Sequence, residues 1–246
     1  KIDLNQKIKD LKIEPTNYEC NKCKDKDLLL DDHNNFISYC TCNKTKKIQL
    51  KKDSVKLYLG DSNLENIYKR YTFESYQTPT EWHKDYKQRA IKFLNNPTNA
   101  FLYLAQSGNG KTHLMTALTV HLIAKGNSGL YVKFQDEMLK SKNDYWNIDN
   151  QLLHKMKTVD VLYLDDLFKV KELKDVHPEE FRIAMNIIDS RYTKDLITII
   201  SSEWNLQELI MLDEAFASRL IEMAGGMSSP YIIDAGYKKD GNWRLI

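Results

Sequence analysis

Phe101-Leu102-Tyr103-Leu104-Ala105-Gln106-Ser107-Gly108-Asn109-Gly110-Lys111-Thr112 is the stretch on which the reading of this chain turns. A short apolar, β-rich run enters a loop with two glycines, and Gly110-Lys111-Thr112 opens an amphipathic helix at His113-Leu114-Met115. Strand, glycine-bearing loop, Gly-Lys-Thr and helix stand in the order that a phosphate-binding loop requires. Gly108 and Gly110 let the backbone curl so that successive N–H groups face phosphate oxygens. The new helix points its positive N-terminal end at the same charge. Gln106, Ser107, Gly108, Asn109, Gly110, Lys111, Thr112 and His113 are therefore the expected nucleotide-binding residues. Lys111 reaches the β- and γ-phosphates, and the Thr112 hydroxyl ligates Mg²⁺. Ala105 replaces the usual first glycine of the motif, so the turn leaving the strand must accommodate a Cβ. A Gly-rich turn with a chance Gly-Lys-Thr is the competing explanation, and the matching strand and helix on either side argue against it.

A second apolar strand, Val161-Leu162-Tyr163-Leu164, ends in Asp165-Asp166. Asp165 is placed to hold the Mg²⁺ water shell, and Asp166 to orient and deprotonate an attacking water. The two motifs together imply an ATP/ADP site with Lys111, Asp165 and Asp166 as catalytic residues. Around them, Ala100–Ala105, Gly129–Phe134, Val159–Leu164 and Leu196–Ser201 read as buried strands, with a last strand at Tyr231–Asp234. Helical patterns fill the intervals at Lys111–Lys125, Gln135–Tyr145, Asp149–Lys157 and Phe181–Thr193. The alternation predicts an α/β fold, a parallel sheet with helices on both faces. Thr80 is the expected N-cap of a helix over Glu81–Leu94.

Three segments follow from composition: residues 1–60 as a small N-terminal module, 61–80 as a linker and 81–246 as the nucleotide-binding domain. The chain has 246 residues, and no apolar run approaches the ~20 residues that span a bilayer. Without a signal-peptide pattern near Lys1–Glu14, the expected location is the cytoplasm, with no membrane partner. A net charge of +2 is too small to indicate nucleic-acid binding by itself.

All four cysteines lie in the N-terminal segment, as Cys20-x₂-Cys23 and Cys40-x-Cys42 around a hairpin-like stretch, Lys24–Tyr39. Two pairs separated by a folding-back loop suit a tetrahedral Zn²⁺ site, and a module this small has too little core to fold without metal. His33 is an alternative ligand, and four free thiols are the alternative to metal altogether. A closed site of this kind leaves no position for catalysis, so the module reads as a docking domain. The following Lys44, Lys46, Lys47, Lys51 and Lys52 suit either DNA contact or a solvated face.

Beyond the two nucleotide motifs, three later stretches carry a family signature. Ile200-Ser201-Ser202-Glu203-Trp204-Asn205-Leu206 sits where a sensor strand ends, Ala217-Ser218-Arg219-Leu220-Ile221-Glu222-Met223 resembles a helix bearing an arginine finger, and Asn242-Trp243-Arg244 is similar to a C-terminal sensor motif. With Gly110-Lys111-Thr112-His113-Leu114 and Tyr163-Leu164-Asp165-Asp166-Leu167, the chain resembles the DnaC/DnaI-type replicative helicase loaders over residues 65–246. This is a branch of the AAA+ ATPases related to DnaA. The resemblance implies an AAA+ P-loop fold and a slow ATPase stimulated by assembly or DNA. It implies a hexameric replicative helicase of the DnaB type and single-stranded DNA as partners, with an origin in a phage or mobile element. It also implies that Arg219 acts on a neighbouring subunit's ATP and that Arg244 contacts phosphate in its own subunit.

The chain departs from that pattern twice: Asp166 stands for the usual Glu, and Glu203 for an expected Asn, leaving Ser202 or Asn205 to make the polar sensor contact. In the linker, Tyr71 and Phe73 are placed to pack on the adenine or into the core. The interval Gln135–Lys157, with Lys140, Lys142, Tyr145 and Trp146, corresponds to the part of DnaA-like proteins that faces single-stranded DNA. A non-hydrolysing adaptor or helicase inhibitor, and a transposase-helper ATPase, are the alternatives; the four cysteines favour the helicase reading over the last.

Overall fold

The computed structural model describes residues 21, 22, 28–30, 36–39 and 69–237. The chain divides into two compact units, residues 1–48 and 49–246. In the first, β1 (Leu28–Leu30) and β2 (Phe36–Tyr39) form an antiparallel pair with Leu28 opposite Tyr39 and Leu29 opposite Ser38. This pair falls within the stretch expected to fold back between the two cysteine pairs. Cys20, Cys23, Cys40, Cys42 and His33 lie outside the described residues.

The second unit is built on a five-stranded sheet of order β4-β5-β6-β3-β7. Its strands are β3 (Ala100–Ala105), β4 (Gly129–Lys133), β5 (Val161–Asp165), β6 (Ile197–Ser202) and β7 (Ile232–Gly236), all pairing in parallel. Side chains alternate across this sheet. Leu102, Leu104, Leu162, Leu164 and Ile200 face one way into the main core. Phe101 and Tyr103 face the other, where Phe101 meets Phe93 edge-on at 5.3 Å and Tyr103 meets Tyr86 at 5.4 Å. Both faces are therefore covered, which is why the strands read as continuous apolar runs.

The helices are α1 (Glu81–Asn95), α2 (Lys111–Ala124), α3 (Phe134–Asn143), α4 (Asn150–Thr158), α5 (Pro178–Tyr192), α6 (Leu206–Leu212) and α7 (Glu214–Met223). Their starts follow local chemistry. Thr80 caps α1 by accepting from the His83 N–H, Asp149 caps α4 through Leu152 N–H at 2.6 Å, and Asn205 with Glu208 forms a reciprocal capping box on α6. Helix α5 begins at Pro178, earlier than its apolar pattern suggests, because Pro fits the first helical turn and Glu179 and Glu180 complement its dipole.

Residues 71–76 are ordered parts of this unit. Phe73 is fully buried, and the His113 ring on α2 stacks on Tyr71 at 4.7 Å while its Nε2 lies 2.9 Å from the Thr72 carbonyl. Among the described residues no helix is long and apolar enough to cross a membrane.

Arg191, near the end of α5, is fully buried. Its guanidinium donates to Thr198 Oγ1 and to the carbonyls of Met156, Val159 and Ile197 at 2.6–2.9 Å. It joins the C-terminal end of α4 to the start of β6 in one step. Arg191→Leu keeps the apolar stem but strands those carbonyls. We expect it to lower unfolding free energy by about 2–4 kcal/mol, measured by urea denaturation; an unchanged midpoint would mean that water satisfies the carbonyls instead.

Candidate nucleotide site

The loop between β3 and α2 has the predicted curl, with Gly108 and Gly110 both at φ +79°. A Cβ on Gly110 would also come within 3.1 Å of the Tyr76 ring, so close approach and backbone sign both demand glycine there. Beneath the loop, the buried Tyr103 hydroxyl donates into Asn109, whose Oδ1 and carbonyl lie at 2.6 and 2.9 Å. Lys111 is almost fully buried, its ammonium donating to the carbonyls of Ala105 and Gln106 at 2.7 and 2.9 Å. Burial pulls its pKa below the usual lysine value, opposed by the nearby Glu203, Asp166 and Asp165. Ala105 is itself buried and continues β3, so its Cβ is absorbed into strand packing.

Asp165 ends β5 as a buried carboxylate. Four hydroxyls converge on it: Tyr163 at 2.7 Å, Thr112 at 3.2 Å and Ser201 on Oδ1, and Tyr131 at 2.8 Å on Oδ2. A buried charge without such donors would be strongly unfavourable. The tyrosines register the same contact from their side: burial raises the Tyr131 hydroxyl far above its ordinary pKa, and the Asp165 charge raises it further. Thr112 and Asp165 set two hard oxygen donors at the phosphate end of the loop, a chemistry that suits Mg²⁺. These residues would hold the ion, which would supply positive charge against the phosphates.

Asp166 is held at φ +56° with its N–H directed at Ser201 Oγ, 3.2 Å away. It lines a pocket of about 380 Å³ with Ser107, Gly108, Asn109, Gly110, Lys111, Thr112 and His113. The far wall is Tyr71, Ser75, Tyr76 and Gln77, and the remaining members are Lys169 and Glu203. Its size lies in the range of small-molecule and cofactor sites. Ser107 to His113 and Asp166 are thus brought together, while Gln106 is not among the lining residues and its carbonyl accepts from Lys111.

Other predicted site residues are placed elsewhere. Ser202 is buried and donates to the Leu167 carbonyl at 2.8 Å, and the Asn205 side chain caps α6, so Glu203 is the sensor-strand residue that lines the pocket. Arg219 lies on α7 outside the pocket, its Nε 2.7 Å from Asp189 Oδ1. Arg244 lies outside the described residues. Lys169, Tyr131, Tyr163, Ser201 and the wall from Ser75 to Gln77 were not singled out in the sequence. The only signal was a tyrosine set among aliphatics in each of three strands, at Tyr103, Tyr131 and Tyr163.

A parallel sheet carrying this loop, with an acidic strand end beside it, defines a P-loop protein. A family model described as the bacterial DnaA ATPase domain matches residues 67–226, and the chain belongs to that family. Over 241 residues it is 28% identical to the phage-like element PBSX protein XkdC of Bacillus subtilis (strain 168), covering 93% of this chain and 86% of that protein. A replicative helicase loader DnaC from Buchnera aphidicola subsp. Baizongia pistaciae is 29% identical over 171 residues, covering 66% of this chain and 68% of that one. Among solved structures, DnaI shares the fold with a TM-score of 0.53 at 20% identity, covering 72% of this chain and 93% of that chain. The resemblance read from the motifs is thus shown by the family model and the DnaC relative, and DnaI shares the fold.

Tyr131→Phe removes one donor from Asp165 and leaves the ring in place. We expect a roughly threefold to tenfold loss in Mg²⁺-supported nucleotide affinity, against its abolition in Asp165→Asn, by calorimetric titration over a Mg²⁺ series. An unchanged Mg²⁺ midpoint in Tyr131→Phe would reduce Tyr131 to a packing residue.

Proposed function

We propose that this protein is an ATP-dependent loader that places a hexameric replicative helicase on single-stranded DNA during replication initiation. The observation that carries the reading is the joined site of Lys111, Thr112, Asp165 and Asp166 in a pocket of nucleotide size. It occurs in a chain whose relatives include a replicative helicase loader. In this reading the loop would hold ATP, Thr112 and Asp165 would hold a Mg²⁺ that supplies positive charge against the phosphates, and Asp166 would orient the attacking water. Asp166 is ion-paired with Lys169 at 2.8 Å, so its carboxylate is already engaged where it would have to receive a water, which supports slow turnover. The same pairing also favours a second reading, an adaptor or helicase inhibitor that binds nucleotide without useful hydrolysis.

Three further assignments belong to the proposal. Arg219, half-exposed on α7, would leave Asp189 to reach the ATP of a neighbouring subunit, so that hydrolysis depends on assembly. Cys20, Cys23, Cys40 and Cys42 would bind Zn²⁺ in a helicase-docking module, a reading supported by the antiparallel β1–β2 pair between them in sequence. Single-stranded DNA would run along the α3–α4 interval. There Tyr145 is 96% exposed and Lys142 is exposed, while Trp146 is occupied by stacking on His177 at 4.3 Å.

The test is helicase-dependent unwinding of a forked substrate coated with single-strand-binding protein, with and without this protein and ATP. Stimulation that falls at least about tenfold in Lys111→Ala and in Arg219→Ala is the expected result. Tight helicase binding without stimulation would replace the loader by the adaptor or inhibitor, and absence of helicase binding would remove both.

A further inference from the structure

The segment after β5 is bent in an unusual way. Asp166 and Phe168 both have positive φ, +56° and +54°, although neither is glycine. Such a backbone persists only where its surroundings hold it, and here β6 and its loop do so. Leu167 N–H donates to the Ser201 carbonyl at 2.9 Å, Ser202 Oγ donates to the Leu167 carbonyl at 2.8 Å, and Trp204 Nε1 donates to the Phe168 carbonyl at 2.6 Å. Leu167 and Phe168 are themselves fully buried. The residue delivered by this anchored bend is Lys169. Its ammonium lies 2.8 Å from Asp166 Oδ2 and 3.7 Å from Glu203 Oε1, and all three side chains line the nucleotide pocket.

An exposed Asp–Lys pair three residues apart would ordinarily contribute little. Three features set this one apart. The Asp166 side chain is only 12% exposed, the backbone on both sides of the turn is tied to β6, and a second carboxylate from a different element shares the ammonium. Charge gives the arrangement a purpose. The pocket holds Asp166 and Glu203, with Asp165 just behind them, and a triphosphate brings about four more negative charges to the same end. Lys111 alone does not offset them. Glu203 makes this acute, because a carboxylate stands where an uncharged amide was expected.

We propose that Lys169 is the residue that lets this site distinguish a nucleoside triphosphate from a diphosphate. The ammonium neutralises Asp166 and Glu203 and meets the terminal phosphate from within the same subunit. Selectivity then rests on a cation on the turn after β5, with Glu203 as its anchor. This rests on the nucleotide-site reading above. Because the recognised charge is on the terminal phosphate, losing Lys169 penalises the triphosphate and largely spares the diphosphate.

The experiment is calorimetric binding of Mg²⁺-ATP and Mg²⁺-ADP to the full chain and to the Lys169→Met, Lys169→Arg, Lys169→Met/Glu203→Gln and Lys111→Ala variants. We expect Lys169→Met to weaken ATP about tenfold or more and ADP by less than about threefold, with Lys169→Arg keeping the wild-type ratio. Removing the unpaired carboxylate in Lys169→Met/Glu203→Gln should restore ATP affinity by about threefold or more. Equal effects of Lys169→Met on the two nucleotides, or no recovery in the double variant, would overturn the proposal while leaving the site intact. Failure of the wild-type chain to bind either nucleotide, or indifference to Lys111→Ala, would instead overturn the nucleotide site and the Lys169 role with it.

Discussion

A single buried carboxylate, Asp165, sets the terms for the rest of this structure. A carboxylate in the interior is costly unless donors surround it. The fold meets that demand from four elements at once: Tyr131 on β4, Tyr163 on β5, Ser201 on β6 and Thr112 on α2. Because side chains alternate along a strand, a slip of one residue in β4 or β6 would turn its hydroxyl to the opposite face. The observed parallel registers, with Lys133 opposite Asp165 and Leu164 opposite Ile200, are therefore functional settings as well as packing ones. Tyr103 extends the same device to the glycine-bearing loop by holding Asn109 from below. A layer of strand hydroxyls thus supports both halves of the pocket, and the apolar layer on the opposite face is left to supply the core.

What the sequence made legible was the part of the molecule governed by local rules. Ala100–Ala105 is bounded as its apolar run suggested, Thr80 caps α1, and the loop glycines take the φ their role requires. Strand edges elsewhere moved by a residue or two: β5 reaches Asp165 because the parallel ladder to β4 continues there, with Lys133 opposite Asp165, although the side chain is not apolar. The pocket's far wall was harder to see. Tyr71 was singled out for packing on a base or into the core, but Ser75, Tyr76 and Gln77 sit in a stretch with little periodicity, and the wall's place beside the loop depends on stacking and hydrogen bonds to His113, some forty positions away. Lys169 was hidden for the same kind of reason. Its sequence neighbourhood, Leu167-Phe168-Lys169-Val170, gives no hint of a bend with two left-handed residues, because the bend is imposed by β6.

The sensor strand shows how a departure from pattern becomes intelligible once partners are known. Ser201 and Ser202 are adjacent, face opposite ways, and both are spent internally: one on Asp165, the other on the turn that carries Lys169. Asn205 is committed to starting α6. That leaves Glu203 as the strand-end residue at the pocket, where it shares Lys169 with Asp166. An acidic residue at this place is thus part of a three-membered charge group, and substituting the expected amide would remove one of the two carboxylates that hold the lysine.

Helix α5 connects this pocket-bearing sheet to the regions that face outward. Near its C-terminal end, Arg191 is locked into carbonyls at the end of α4 and the start of β6, while Asp189 on the same helix holds Arg219 of α7. The two contacts differ in kind. The first is buried, so its hydrogen bonds are exchanged for nothing if broken, and α4 is tied firmly to the sheet. The second is half-exposed, where an ion pair contributes little and can be traded for another anion at small cost. A firm anchor and a looser one on the same helix are thus separable: breaking the Arg219–Asp189 pair leaves the Arg191 contacts, and with them the attachment of α4, in place.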